Sequence, residues 1–199
     1  MATKTKKLGR VILIHGIQGE GKEMYLTNLA RYFQEAGFTV VIPRYGTLDL
    51  LGVSISSWAN NRIAASLGSF VEEGDILLGH SNGGTIAYMI AQQKRVRGVI
   101  LINAALDSDR VCNAEFTHVY FNAGDWVVRA STLVPLNNWG AIGAIGYTGP
   151  PRPDVTNIDC GNPPYDDLPA LSGHSAIFKG NNLAPWARYM AQMAKLEIV

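Results

Sequence analysis

The stretch Asp75-Ile76-Leu77-Leu78-Gly79-His80-Ser81-Asn82-Gly83-Gly84-Thr85-Ile86-Ala87-Tyr88-Met89 decides how this chain is read. It opens as a short apolar run suited to a buried strand over 75–78 and closes as a helix over 83–93. Between them lies Gly79-x-Ser81-x-Gly83. Such a turn from strand to helix is so sharp that the serine is held in an uncommon backbone conformation, and small neighbours are needed to avoid a clash. Ser81 is thereby predicted to stand at the carboxyl end of a sheet, beside the amino end of a helix. That end favours developing negative charge, and the Asn82 amide faces the place where it would develop. Without its flanks the motif would read as an inert glycine-rich turn; the strand before it and the helix after it argue for an exposed nucleophile.

Outward from this stretch, apolar runs alternate with helical periodicity, the pattern of a mostly parallel sheet covered on both faces, an α/β sandwich of three layers. Strands are predicted over 11–14, 38–42, 98–102 and 118–121, and helices over 22–36, 58–71 and 184–196. The first helix carries Leu26, Leu29, Ala30 and Phe33 on one face, with Gly37 as its stop. No repeat or linker divides the 199 residues, so one domain is expected, with residues 1–9 as a flexible arm. Residues 135–173 hold seven prolines with interspersed glycines. A loop of that length is commonly functional. Trp139, Ile142, Ile145 and Tyr147 would anchor it, so it reads as an ordered loop over the site, with one short strand near Val155–Ile158.

A serine hydroxyl needs a base to take its proton. The chain has four histidines. His80 adjoins Ser81 in sequence, and its side chain is expected to point away. His15 lies at the end of the first strand, and His118 near the buried upstream end of another. His174, in Ser172-Gly173-His174-Ser175 just before the last helix, is the best candidate. The base in turn needs an acceptor that fixes its tautomer. Asp125 follows a strand in Asn122-Ala123-Gly124-Asp125-Trp126 and is favoured; Asp107 and Asp109 compete, while Asp154 and Asp159 are weaker. A second amide besides that of Asn82 is needed for an oxyanion. His15-Gly16-Ile17-Gln18-Gly19 ends the first strand, its glycines let the backbone come close, and the Ile17 amide is selected, with Gln18 in reserve.

The same loop supports a competing reading. Gly16-Ile17-Gln18-Gly19-Glu20-Gly21-Lys22-Glu23 fits the Gly-x4-Gly-Lys spacing of a phosphate-binding loop and joins a strand to a helix. Glu23, however, stands where a hydroxyl would bind magnesium, and Glu20 and Glu23 would repel phosphate. A nucleotide-binding protein using Gly16–Lys22 is therefore the alternative, and a non-catalytic binding module on the same fold is another.

His15-Gly16 after the first strand, Gly79-His80-Ser81-Asn82-Gly83 at the turn, and the order Ser, Asp, His together resemble the α/β-hydrolase superfamily, over about Val11 to Leu196. In size the chain is similar to compact esterase-like and lipase-like members without a large lid domain. The resemblance implies acyl transfer from a small-molecule ester to water through an acyl-enzyme, with no cofactor and no metal. The segments 47–57 and 135–173 match no particular subfamily and leave the substrate unassigned.

Bulk properties narrow the classes that compete. The formal net charge of +1 provides no field that would gather nucleic acid, and Lys4, Lys6, Lys7 and Arg10 are too few to change that. No run approaches the ~20 apolar residues of a membrane span. Val11-Ile12-Leu13-Ile14 is too short for a signal-peptide core, so a cytoplasmic protein is expected. Cys112 and Cys160 have no metal-ligand spacing and are expected as free thiols.

Overall fold

The computed structural model describes residues 8–16, 19–45, 57–133 and 139–198. Six strands, β1 (Arg10–Ile14), β2 (Thr39–Val41), β3 (Ile76–His80), β4 (Val96–Ile102), β5 (Ala114–Phe121) and β6 (Val155–Asp159), form one sheet in the order β2-β1-β3-β4-β5-β6. Every pairing is parallel. Among the described residues the helices are α1 (Gly19–Glu35), α2 (Ser57–Gly68), α3 (Asn82–Gln93), α4 (Trp126–Ser131), α5 (Ile142–Ile145) and α6 (Leu183–Leu196), with 3-10 turns at Ala176–Phe178 and Gly180–Asn182.

The alternation of side chains along each strand builds two cores. Val11, Leu13, Ile76, Leu78, Ile100 and Ile102 pack with Leu29 and Phe33 of α1 and Trp186 and Met190 of α6. Ile12, Ile14, Leu77, Val99, Leu101 and Val119 pack on the other face, with Ile63 and Leu67 of α2 and Ile86 and Ile90 of α3. Strands buried on both faces read as continuous apolar runs, which is how β1 appears in the sequence. At the amino ends, the Arg10 guanidinium donates to both carboxylate oxygens of the buried Asp75, at 2.8 and 2.6 Å.

Several strands start earlier than the apolar runs suggest. β4 begins at Val96 and β5 at Ala114, because Arg97 and Glu115 interrupt the hydrophobic pattern without leaving the ladder. His118 is therefore not near a strand's start but in mid-strand. The register pairs Leu78 with Ile100 and Ile100 with His118, so its ring lies on the α1–α6 face. There it is fully buried, its Nε2 lies 3.0 Å from Glu197 Oε1, and its Nδ1 has no hydrogen-bond partner among the described residues.

The strand order fixes where a site can form. From β1 the chain crosses outward to β2, then returns to lay β3 on the opposite side of β1. The carboxyl ends of β1 and β3 thus flank the crevice where successive connections diverge, the usual ligand position in open parallel sheets.

Candidate active site

β3 runs through Gly79-His80, and α3 begins at Asn82, leaving Ser81 alone between them. Ser81 has φ 58° and ψ −129°, a region that side-chain-bearing residues rarely occupy. A methyl group at Gly79 would strike the carbonyl of Gly83, and one at Gly83 would strike the carbonyl of Ile14. Both glycines of the motif are therefore required by close approach. The elbow is tied to β4 by Ser81 N–H donating to Ile102 O at 3.0 Å, and by the amides of Gly84 and Ala105 donating to Ser81 O.

His174 Nε2 lies 2.8 Å from Ser81 Oγ, and His174 Nδ1 lies 2.8 Å from Asp125 Oδ2. An ionised carboxylate only accepts, so Nδ1 carries the proton and Nε2 presents its lone pair to the serine hydroxyl. Asp125 is fully buried and the His174 side chain is 11% exposed. Burial keeps water from competing for these two hydrogen bonds.

The carboxylate has two further partners. Asp125 caps α4, its Oδ1 accepting from the Val128 amide at 3.0 Å. Asn103 Nδ2 donates to Asp125 Oδ2 at 2.9 Å and to Gly143 O at 3.1 Å. Asn103 has φ 44°, a left-handed conformation that asparagine tolerates better than most residues. The Asn122 side chain holds the loop before His174 by accepting from Gly173 N–H at 3.1 Å and donating to Gly173 O at 3.3 Å. Neither asparagine stands out in the sequence as a site residue. A signal was nevertheless present, since each directly follows the last residue of a strand, β4 for Asn103 and β5 for Asn122.

The Asn82 amide is the first of α3 and has no intrahelical acceptor. The buried Asn82 side chain exchanges two hydrogen bonds with Asn60, at 2.8 and 2.9 Å, and accepts a third from Trp139 Nε1 at 3.0 Å. Ile17 and Gln18 lie outside the described residues. The residues before them are held: His15 Nδ1 is 2.8 Å from Gly16 O, Tyr45 stacks on the His15 ring at 4.1 Å, and Tyr45 OH donates to His15 O. Burial raises the Tyr45 phenol well above its ordinary value, which keeps it a donor. A methyl group at Gly16 would come within 2.9 Å of Ser81 Cβ, so the phosphate-loop glycine of the alternative reading is packed against the elbow.

The other candidates stand elsewhere. Asp107 pairs with Arg110 at 3.0 Å and Asp154 with Arg152 at 2.8 Å, while Asp159 accepts from the Gly161 amide. Cys112 and Cys160 are buried and unpaired, and burial pushes the Cys112 thiol up to about 12 and that of Cys160 higher still. Both remain protonated thiols rather than nucleophiles. His80 departs from expectation: its side chain does not point away but lies 4.9 Å from the His174 ring. Residues 139–173 also contain more than a loop. α5 packs against β5 and against Asn103 and Ala104 just after β4, β6 completes the sheet edge, and Trp139 hydrogen-bonds at the elbow. Among the described residues no group of three or more His, Cys, Asp or Glu is arranged to hold a metal ion, and no helix is long and apolar enough to cross a membrane.

No family model matches the chain, and no curated protein matches it in sequence. Solved structures do. A protein described as a hydrolase of the alpha/beta superfamily, from Xanthomonas campestris pv. campestris, superposes with a TM-score of 0.60 over 96% of this chain and 99% of its own, at 17% identity. The chain has the α/β-hydrolase fold. An esterase domain from Rhodothermus marinus shares that fold with a TM-score of 0.62, covering 97% and 88% at 13% identity. The pyrethroid hydrolase PytH gives 0.57, covering 94% and 97% at 16% identity. These solved neighbours of the α/β-hydrolase fold are hydrolases and esterases.

Proposed function

We propose that this chain is a serine hydrolase that cleaves a carboxylic ester through an acyl-enzyme on Ser81. The observation that carries this reading is the continuous relay from Ser81 Oγ through the His174 ring to a fully buried Asp125, with both hydrogen bonds at 2.8 Å. His174 Nε2 takes the hydroxyl proton as Ser81 Oγ attacks the carbonyl carbon. The resulting imidazolium is stabilised by the Asp125 carboxylate, and the oxyanion by the amides of Asn82 and Ile17. His174 then returns the proton to the departing alcohol. In the second half, water loses a proton to Nε2, attacks the acyl carbon and releases the acid, and Ser81 recovers its proton.

An ester is preferred to an amide because an alkoxide leaves more readily than an amide anion. The esterase among the neighbours of similar fold points the same way. Asn103 and Asn122 act through Asp125 and Gly173 and are positioning residues.

Reaction with a fluorophosphonate, followed by mapping of the modified residue, tests the assignment directly. Label is expected on Ser81, none is expected in Ser81→Ala, and that variant should lose several orders of magnitude in turnover while keeping its fold. Folded protein that hydrolyses esters with Ser81 absent, or that carries the label elsewhere, overturns it.

A further inference from the structure

The base sits in a segment with no helix or strand to hold it. Gly173 has φ 103°, and the first 3-10 turn after His174 begins at Ala176. A base that must meet Ser81 within a few tenths of an ångström needs its own backbone fixed, because small displacements of a reacting group are expensive. Asn122 fixes Gly173 from the β5 side. The peptide carbonyl of His174 itself is met by His80, whose Nε2 lies 3.0 Å from it.

A carbonyl oxygen has no proton to give, so His80 Nε2–H is the donor. The register explains why it is there. His80 pairs with Ile102, and Ile102 with Tyr120, so its side chain leaves β3 on the α1–α6 face, the face on which 171–178 packs. His80 is 5% exposed, its ring tilted against that of His174 and met edge-on by Phe178 at 4.9 Å. The residue next to the nucleophile in sequence thus reaches under the sheet end and grips the base from below.

We propose that His80 is a positioning residue for the reaction: its Nε2–H bond to the His174 carbonyl holds the imidazole in line between Asp125 and Ser81. The inference rests on the proposed triad of Ser81, His174 and Asp125. It assigns the position between Gly79 and Ser81 a requirement for a donor at the reach of a histidine Nε2, beyond mere bulk.

Two variants separate donor from bulk. Gln carries its amide nitrogen the same number of bonds from Cα as His Nε2, whereas Leu fills similar space with no donor. Ester hydrolysis, rate of fluorophosphonate labelling and the downfield proton resonance of His174 Nδ1–H are measured for wild type, His80→Gln, His80→Leu and His174→Ala, with near-ultraviolet circular dichroism to establish folding. In His80→Leu, kcat and labelling rate are expected to fall about 10–100-fold with little change in KM, and the resonance to broaden. In His80→Gln, kcat should return to within about fivefold of wild type with the resonance restored. If folded His80→Leu keeps wild-type kcat, or if Gln does no better than Leu, the inference fails. If His174→Ala is itself fully active, the triad reading fails instead. Should His80→Leu not fold, His80→Gln still decides: a folded Gln variant as inactive as His174→Ala refutes a role as backbone donor.

Discussion

Replacing Asp125 by asparagine removes a charge from a position where nearly every atom is already accounted for. Oδ1 accepts from the Val128 amide, and Oδ2 accepts from Asn103 Nδ2 and from His174 Nδ1. An amide nitrogen at the Oδ2 position would face two donors and force the wrong histidine tautomer. An amide nitrogen at the Oδ1 position loses only the cap to Val128. The second orientation sacrifices one hydrogen bond rather than two, so the variant should keep an oxygen toward His174 and lose about 1 kcal/mol of stability from the cap. The larger effect is on the imidazolium formed during reaction. Opposite unit charges 2.8 Å apart attract by about 6 kcal/mol at an effective dielectric of 20, and a neutral amide oxygen retains part of that attraction. A net loss of about 3–5 kcal/mol corresponds to a fall in kcat of roughly 10²–10⁴. The assay is steady-state hydrolysis of a neutral ester by wild type, Asp125→Asn, His174→Ala and the double variant, with thermal unfolding in parallel. Asp125→Asn in the His174→Ala background should produce little further loss, because the two groups act as a unit. A single variant within threefold of wild type, or a double variant in which the two losses multiply in full, would refute the reasoning.

Other outcomes follow from the same structure. Asn103→Ala removes a hydrogen bond to a buried carboxylate and places a Cβ-bearing residue at φ 44° without a side-chain amide to stabilise it. A loss of about 2–4 kcal/mol is expected, read as a shift of the urea midpoint, with kcat falling alongside. A midpoint within about 0.5 kcal/mol of wild type would count against the asparagine as the support of Asp125. His118 is held below its ordinary value by burial, with its bond to Glu197 pulling the other way. Unfolded chains take up that proton near pH ~6.5 while the folded protein does not, so wild-type stability should drop as pH falls below that value. His118→Leu should flatten the drop between about pH 7.5 and 5.5 in denaturant titrations. Equal slopes for both proteins would contradict it.

The fold was legible because parallel strands buried on both faces leave long apolar runs in the sequence, and Ile76-Leu77-Leu78 and Val11-Ile12-Leu13-Ile14 are of that kind. Where a charged residue enters a ladder, as Arg97 and Glu115 do, the run breaks and the strand is underestimated by two to four positions. Short helices such as α4 and α5, of six and four residues, span too few turns to display a period. Ser81 and Asp125 could be picked out of the sequence because each follows a strand end, and His174 by elimination among four histidines, and the structure brings their side chains together. The polar residues that support them could not. Asn103 and Asn122 act through side-chain contacts to distant parts of the chain, and such contacts have no local pattern. The expectation for His80 failed for a related reason. Alternation along β3 gives the face its ring takes, but the return of 171–178 to that face is a matter of tertiary packing.

The hydrogen bond between Ser81 and His174 joins positions 93 apart in the chain, and that between His174 and Asp125 joins positions 49 apart. During synthesis from the amino end, Ser81 therefore leaves the ribosome before His174 has been added to the chain. The elbow is framed by β1, β3 and α3, all made by chain that precedes residue 94, so on the proposed mechanism the order of the sequence defers reactivity until His174 is in place. For the serine hydrolase proposed above, a half-made chain without His174 would not yet take up acyl groups on Ser81.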